Sequence, residues 1–442
     1  MRKKVKEVLL QPLLIYPEKL PLALTSLSIH WFFNAFEDLL PDLMTFDSGK
    51  SVIHGKRLSD FQIIFVSLSY AANLINFVKM VKEGGIPLLK RERDKGMYPV
   101  FICGGTAAML NPLPLTEIFD AVFVGEGECM EKDMKKILNM DSREELDSFL
   151  SSLSYCYNDI KPSADIVRAE NGQFFVHSNK TLHKMGNTFD NRLIVELNRS
   201  CTSRCKFCAA TYLYETFRVP EKERVMEYVD TAVSDGKGLA LMGTSLGSID
   251  YFDEILEKAA QKSVSISISS IKVKEINEKR LKLLKKCGVK TITVAIESGI
   301  PATRKAILKD ISDSEILTAL KMIKDMKFKS KLYFIAGLPG TEAVEEAQSV
   351  VDLLLFIKNN GGLGETSISV APFVPKPLTP YRDFDIVNRK EYKKYMEILK
   401  KGVSKISSGI KIDFYPYRES ELDAKFGFYQ GEAFIKLITE NI

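Results

Sequence analysis

The sequence has little of what usually announces a site. It holds four histidines, His30, His54, His177 and His183, in 442 residues, which leaves little material for an imidazole-rich metal centre. No run reaches the roughly 20 apolar residues of a membrane helix. The most apolar stretch, 20–36, contains Ser26, Ser28, His30 and Asn34 and is expected to be a buried helix. The basic start leads into a run interrupted by Gln11, Pro12, Pro17, Glu18 and Lys19, with no small-residue cleavage site behind it, so a secretory leader is not expected. The seven cysteines are odd in number and lack the regular spacing of a disulfide framework, which fits a reducing cytoplasm. Repeats and low-complexity tracts are absent. A net charge of +5 is too small to indicate a nucleic-acid partner.

What is present is alternation. Length alone suggests two to three domains. In the first 140 residues, strands are expected over 5–16, 61–70, 98–105 and 121–128, and helices over 22–40, 71–83 and 131–150. The run FQIIFVSLSY has the continuous apolar character of a parallel strand covered on both faces. Strands ending in Gly or Ser and feeding helices describe an α/β, flavodoxin-like doubly wound sheet, whose ligands sit outside the carboxyl ends of its strands. Residues 141–190 read as a linker with one hairpin, DIVRAENGQFFVHS, turning at Asn171-Gly172. Over 191–385 the alternation restarts with a longer period. Strands are expected at 193–198, 239–243, 264–270, 291–297, 331–336 and 367–372, and helices at 250–262, 278–287, 312–326 and 341–358. Six βα units are too few for an eightfold barrel and enough for a partial (β/α)6 barrel, with its chemistry at the strand carboxyl ends. Residues 386–442 are expected to form a small α+β cap.

Directly after the first barrel strand stands RSCTSRCKFC, which spaces Cys201, Cys205 and Cys208 as CxxxCxxC. Three readings follow. The thiols could be free, like the scattered Cys103, Cys129, Cys156 and Cys287. They could hold zinc, but a structural zinc asks for four ligands, and His177 and His183 lie on the other side of the strand. They could hold a 4Fe-4S cluster by three thiolates with one iron left open. That vacancy can bind a substrate or cofactor, and a low potential lets the cluster donate one electron.

CxxxCxxC with Phe207 before the last cysteine resembles the signature of the radical S-adenosylmethionine (SAM) superfamily. The resemblance implies that the open iron chelates the amino and carboxylate groups of SAM, and that electron transfer splits SAM into methionine and a 5′-deoxyadenosyl radical. Later strand ends resemble family positions too. LMGTSLGS places Gly243, Thr244 and Ser245 where the family has a Gly-Gly-Glu motif contacting the SAM amino group, so backbone carbonyls and hydroxyls would have to serve. SISISSIKV places Ser269 and Ser270 at the ribose. VAIESG places Glu297 at the ribose hydroxyls or methionine. LYFIAGLPGT places Gly337, Leu338 and Pro339 at the adenine. Arg218 and Tyr212–Tyr214 could line the barrel mouth or the surface.

Ser367 to Phe384, and segments of 60–130 (SLSYAANL, GIPLLKRER, FICGGTAAMLNPLPL, VGEGE), resemble uncharacterised radical SAM proteins with an N-terminal cobalamin-binding-like domain. The resemblance points to Ser67, Ser69, Gly104, Gly105, Thr106 and Gly125 as cofactor-binding positions. The family's DxHxxG motif is missing, and neither His30 nor His54 stands in its place, so cobalamin would bind without a histidine below cobalt. The resemblance implies methyl transfer to carbon. The adenosyl radical would abstract hydrogen, methylcobalamin would supply the methyl group, and a flavodoxin or ferredoxin would supply the electron. A cobalamin-free radical SAM enzyme and a non-enzymatic Fe-S sensor are the other readings. No motif identifies the substrate.

Overall fold

The computed structural model describes residues 11–93, 98–158 and 164–441, arranged in two compact units. Positions before 11 in the expected first strand lie outside the described residues.

The first unit takes the described residues of Met1–Glu170, Val176–Asn191 and Phe426–Ile442. Its strands are β1 (Leu13–Tyr16), β2 (Asp42–Thr45), β3 (Ile63–Ser67), β4 (Val100–Gly104), β5 (Ala121–Phe123) and β6 (Cys156–Tyr157), in the order β2-β1-β3-β4-β5-β6. The first five run parallel, and β6 closes the edge antiparallel to β5. This is the expected flavodoxin-like order, whose reversal between β1 and β3 opens a crevice at their carboxyl ends. Every residue of β1, β2 and β3 is buried, as parallel strands with helices on both faces require.

The second unit takes Asn171–Phe175 and Arg192–Lys425. It contains β7 (Leu193–Glu196), β8 (Leu239–Met242), β9 (Ile266–Ile268), β10 (Thr291–Glu297), β11 (Lys329–Ala336), β12 (Thr366–Pro372) and β13 (Lys411–Phe414). All pair in parallel, as a three-stranded sheet β7-β8-β9 and a four-stranded sheet β10-β11-β12-β13. A backbone bond from Ile271 N to Thr293 O, 3.0 Å, links the two where β9 has ended. The six expected strands are present. On β10 to β12, Ile292, Val294, Ile296, Leu332, Phe334, Ile368 and Val370 are buried in the helix-covered core. Lys331, Tyr333, Ser367 and Ser369 alternate with them on the more open face.

Several expectations change. The helix expected over 22–40 is broken into Leu20–Ala23, Leu27–Ala35 and a 3-10 turn Glu37–Leu39, because Ser26 takes an extended conformation (φ −80°, ψ 126°). The helix expected over 131–150 is two, Glu131–Ile137 and Arg143–Ser152. Ser142 Oγ accepts from Glu145 N at 3.1 Å, a Ser-x-x-Glu start that favours a new helix over a continued one. The hairpin does not form. Asn171-Gly172 does turn, but Val167 bridges to Gly125 and Gly172 to Pro220, so the two arms pair elsewhere. Residues 141–190 supply the helices Arg143–Ser152 and Lys180–His183 and β6 to the first unit, and Asn171–Phe175 to the second. Of 386–442, the helix Arg389–Ile406 and β13 belong to the second unit, and 426–442, with helix Gly431–Glu440, to the first.

His30 fixes the first unit to a pH range. It is buried, with Nε2 3.0 Å from Leu24 O and Nδ1 accepting from Asn179 N at 3.1 Å. Burial lowers its pKa to about 4, and His177 and His183 push the same way. An unfolded histidine titrates near 6.5. The native state therefore binds fewer protons between those values, and stability present above pH 6.5 is lost as pH falls toward 4. The expected loss from this one side chain is about 3 kcal/mol. Urea unfolding at pH 7 and pH 4.5 checks it: over that range wild type should lose about 2 kcal/mol more than His30→Gln.

Candidate active site

The cysteine loop leaves the carboxyl end of β7 and is tied down at several points. The amide of Asn198, a buried residue, does most of the tying. Its Nδ2 donates to Ser200 O and to Thr244 Oγ1, each at 2.8 Å, and its Oδ1 accepts from Ser245 N at 3.2 Å. Ser200, just before Cys201, sits at φ +62°, a left-handed conformation that costs a non-glycine residue energy. Further on, Thr211 Oγ1 donates to Ser203 O at 3.0 Å. Lys206 N reaches Ile307 O at 3.2 Å, and Tyr381 N reaches Lys206 O at 3.3 Å. Phe207 packs on the buried cluster of Ile307, Leu338, Phe373 and Tyr381.

Cys205 is buried and Cys201 and Cys208 are half-buried. Burial pushes the Cys205 thiol up to about 11, against the pull of Lys309. Burial also raises Cys208, against a hydrogen bond from the Ala210 backbone. Among the described residues, no three His, Cys, Asp or Glu side chains converge as ligands of one metal ion do. A cubane makes a different demand, since each thiolate reaches its own iron. Three thiols on one anchored, partly desolvated loop, with a lysine ammonium beside them, fit a three-thiolate cluster.

Gly243, Thr244 and Ser245 follow β8. A Cβ on Gly243 would lie 2.3 Å from Asn198 Oδ1, so this position needs glycine for the strand ends to approach. Thr244 Oγ1 donates to Ser200 O. Ser269 Oγ donates to Gly243 O at 2.6 Å, and Ser270 beside it is half-buried. Ser245 is buried and shares a hydroxyl network with Ser248 (2.8 Å) and Thr202. Lys272 Nζ donates to Thr202 Oγ1 at 2.6 Å, and Ser248 donates to Glu275 at 2.6 Å. Thr202, Ser248, Lys272 and Glu275 were not singled out by the sequence. Hydroxyls and a lysine–glutamate pair stand beside the loop where Gly-Gly-Glu was replaced.

Glu297 ends β10 at a register break after Ala295, at φ +72°. It is not a solvated charge: its carboxylate is buried and paired with Lys309 at 2.7 Å. Burial opposes the Lys309 ammonium, but Glu297 and the thiols of Cys205 and Cys201 outweigh it, and the net shift is upward. The turn after Glu297 is held by Arg304, which is fully buried. Its guanidinium donates to Ser298 O (3.0 Å), Gly299 O (3.1 Å), Ile311 O (2.8 Å) and Asp313.

Gly337, Leu338 and Pro339 follow β11. Gly337 N donates to Glu346 Oε2 at 2.6 Å. Burial raises this Glu346 carboxyl to about 8, against bonds from Gly337, Thr341 and Leu338. Leu338 is buried in the apolar cluster beneath Phe207, and Pro339 is half-buried. The β7, β8, β9, β10 and β11 ends thus meet through the cysteine loop and its contacts. Arg218 lines no mouth. It is buried, donating to Tyr214 O at 2.9 Å.

In the first unit, Ser67 and Ser69 lie at the end of β3. Ser67 Oγ is 3.0 Å from Ser28 Oγ, and Tyr16 OH donates to Ser69 Oγ at 3.1 Å. Gly104 ends β4 and Thr106 opens the helix Thr106–Leu110. Gly105 stands at φ +99°, where a Cβ would lie 2.6 Å from Leu68 O. This close approach requires glycine with or without a ligand. Gly125 bridges to Val167. His54 contacts Asp42 Oδ2 at 3.0 Å, at the start of β2 and so at the end of the sheet away from the crevice. With both His30 nitrogens also engaged, neither histidine is placed to reach a ligand at the strand carboxyl ends.

A flavodoxin-like sheet and a partial βα barrel whose first strand end bears CxxxCxxC define an iron–sulfur enzyme of the SAM-cleaving type. The chain belongs to the radical SAM superfamily. The profile of that superfamily matches residues 195–354, and the profile described as radical SAM proteins, N-terminal, matches 46–157. An uncharacterized protein of Methanocaldococcus jannaschii is 27% identical over 424 residues, covering 94% of this chain and 86% of its own. The fold is similar to that of the radical SAM methyltransferase TsrM from Kitasatospora setae (TM-score 0.62, 13% identity, 84% of this chain and 75% of that one). It is also similar to the cobalamin-dependent SAM radical enzyme OxsB (TM-score 0.58, 16% identity, 91% of this chain and 57% of that one). Among the described residues, no helix is long and apolar enough to cross a membrane.

Proposed function

We propose that this radical SAM enzyme binds cobalamin on its N-terminal unit and transfers a methyl group to a carbon of its substrate. The observation that carries the cobalamin reading is the β2-β1-β3-β4-β5 sheet order with its crevice at the ends of β1 and β3. The likeness to TsrM, known with cobalamin and a 4Fe-4S cluster bound, and to OxsB, extends over both units and supports it. Cys201, Cys205 and Cys208 would hold the cluster. When bound, it supplies a low-potential electron and an open iron for SAM. Asn198 fixes the loop against β8, Ser269 orients Gly243 O toward the β9 end, and Leu338 with Phe207 keeps water from the adjoining wall. A cobalamin here would have its lower face free of histidine.

The experiment is anaerobic purification of the reconstituted chain with hydroxocobalamin. Bound corrin with no spectral sign of histidine ligation is expected, together with SAM-derived deoxyadenosine after reduction. No corrinoid at saturating concentration overturns the cobalamin reading. Deoxyadenosine formed by such a corrin-free protein would leave a cobalamin-free radical SAM enzyme.

A further inference from the structure

Lys309 and Glu297 form a buried ion pair, with side chains 17% and 10% exposed. Removing two charges from water costs several kcal/mol per ion, so such a pair is a poor device for stability alone. Glu297 adds a further cost through its left-handed backbone, at φ +72°. Both costs are borne beside the cysteine loop. Ile307, two residues before Lys309, accepts the Lys206 amide between Cys205 and Phe207, and it packs in the same apolar cluster as Phe207. The pair is also polarised toward the thiols. The charges that act on Cys205, apart from its sister cysteines, are the Lys309 ammonium and, more weakly, the Glu297 carboxylate. On Cys208 the order is reversed, with Glu297 before Lys309.

We propose that Lys309 and Glu297 are opposed charges that balance each other at the cluster held by the three thiols, each shifting its reduction potential against the other, a role resting on the cluster reading above. Reduction places one more negative charge on the cluster. An ammonium beside the cluster favours the reduced state and a carboxylate disfavours it, and partial burial leaves both weakly screened. Net charge around a cluster is among the protein's levers on its potential.

The test is a redox titration of the anaerobically reconstituted full chain, following the electron paramagnetic resonance signal of the reduced cluster. Glu297→Gln leaves Lys309 unopposed. Its potential should rise, favouring reduction about tenfold, ~59 mV for one electron. Lys309→Met should shift the potential downward, and the double variant should lie near wild type. A loosened loop would move both single variants in the same direction; opposed charges move them in opposite directions. A fall or no change in Glu297→Gln, or a rise in Lys309→Met, overturns the proposal. If Lys309→Met retains no cluster, the sign in Glu297→Gln decides alone. If that variant also retains none, Lys309→Gln combined with Glu297→Gln must titrate within a few millivolts of wild type, and a larger shift overturns the proposal. A wild-type chain that takes up no iron and sulfide fails the cluster reading instead, and iron and sulfide analysis separates that outcome.

Discussion

Alanine at any one of Cys201, Cys205 or Cys208 is expected to leave a protein that assembles no complete cluster and forms no deoxyadenosine above background. The three thiolates would supply all the protein's ligands to the cluster, and an open iron is useful only if the other irons are held. No spare ligand is at hand: Cys103, Cys156 and Cys287 are buried elsewhere. Iron and sulfide analysis and the visible spectrum of each variant check this. Cys129→Ser, at an exposed thiol, should leave both unchanged. A full cluster surviving in any of the three alanine variants would remove the assignment of its ligand.

Methionine at Arg304 is expected to destabilise the barrel unit by ~3–5 kcal/mol, the cost of breaking a buried charge network. That corresponds to a fall of roughly 6–20 °C in the melting temperature of a unit this size. The guanidinium is fully buried, and losing it leaves Ser298 O, Gly299 O and Ile311 O without these donors and Asp313 without its ion pair. A lysine cannot replace it, because one ammonium does not reproduce the fork that serves four acceptors. The loss should extend to the site. Arg304 O accepts from Lys309 N at 2.8 Å, so the turn that Arg304 holds also positions the Glu297–Lys309 pair. Thermal unfolding of the cluster-free protein measures the first effect, and iron retained after gel filtration measures the second. An unchanged melting temperature would show that Arg304 does not hold the turn.

These two experiments probe parts that the sequence disclosed unequally. Cys201, Cys205 and Cys208 are visible because a chelating loop is local: three side chains within eight residues must face one cofactor, so their spacing is part of the chemistry. The six barrel strands and the doubly wound character of the N-terminal sheet are visible for a similar reason, because βα units impose regular apolar strands and leave few arrangements for them. The strand order of the N-terminal sheet, with β2 and β6, is not, because those short segments carry no such run. Arg304, Lys309 and Asn198 carry no such mark. Lys309 stands in a short polar stretch, LKDIS, that reads like any helix-end loop, and its importance comes from a cysteine loop about a hundred residues earlier.

The sequence by itself carried the CxxxCxxC spacing, the resemblance to the radical SAM superfamily and the two kinds of sheet, because each depends on residue type at short range. It also determined that no histidine stands in a cobalt-binding motif. Only the tertiary structure decided that Glu297 is paired rather than solvated, that Asn198 locks the cysteine loop to the Gly243 turn, and that residues after 425 return to the first unit. Those are contacts between distant segments. Their energies come from burial and hydrogen-bond geometry that exist only once the strand ends have been brought together.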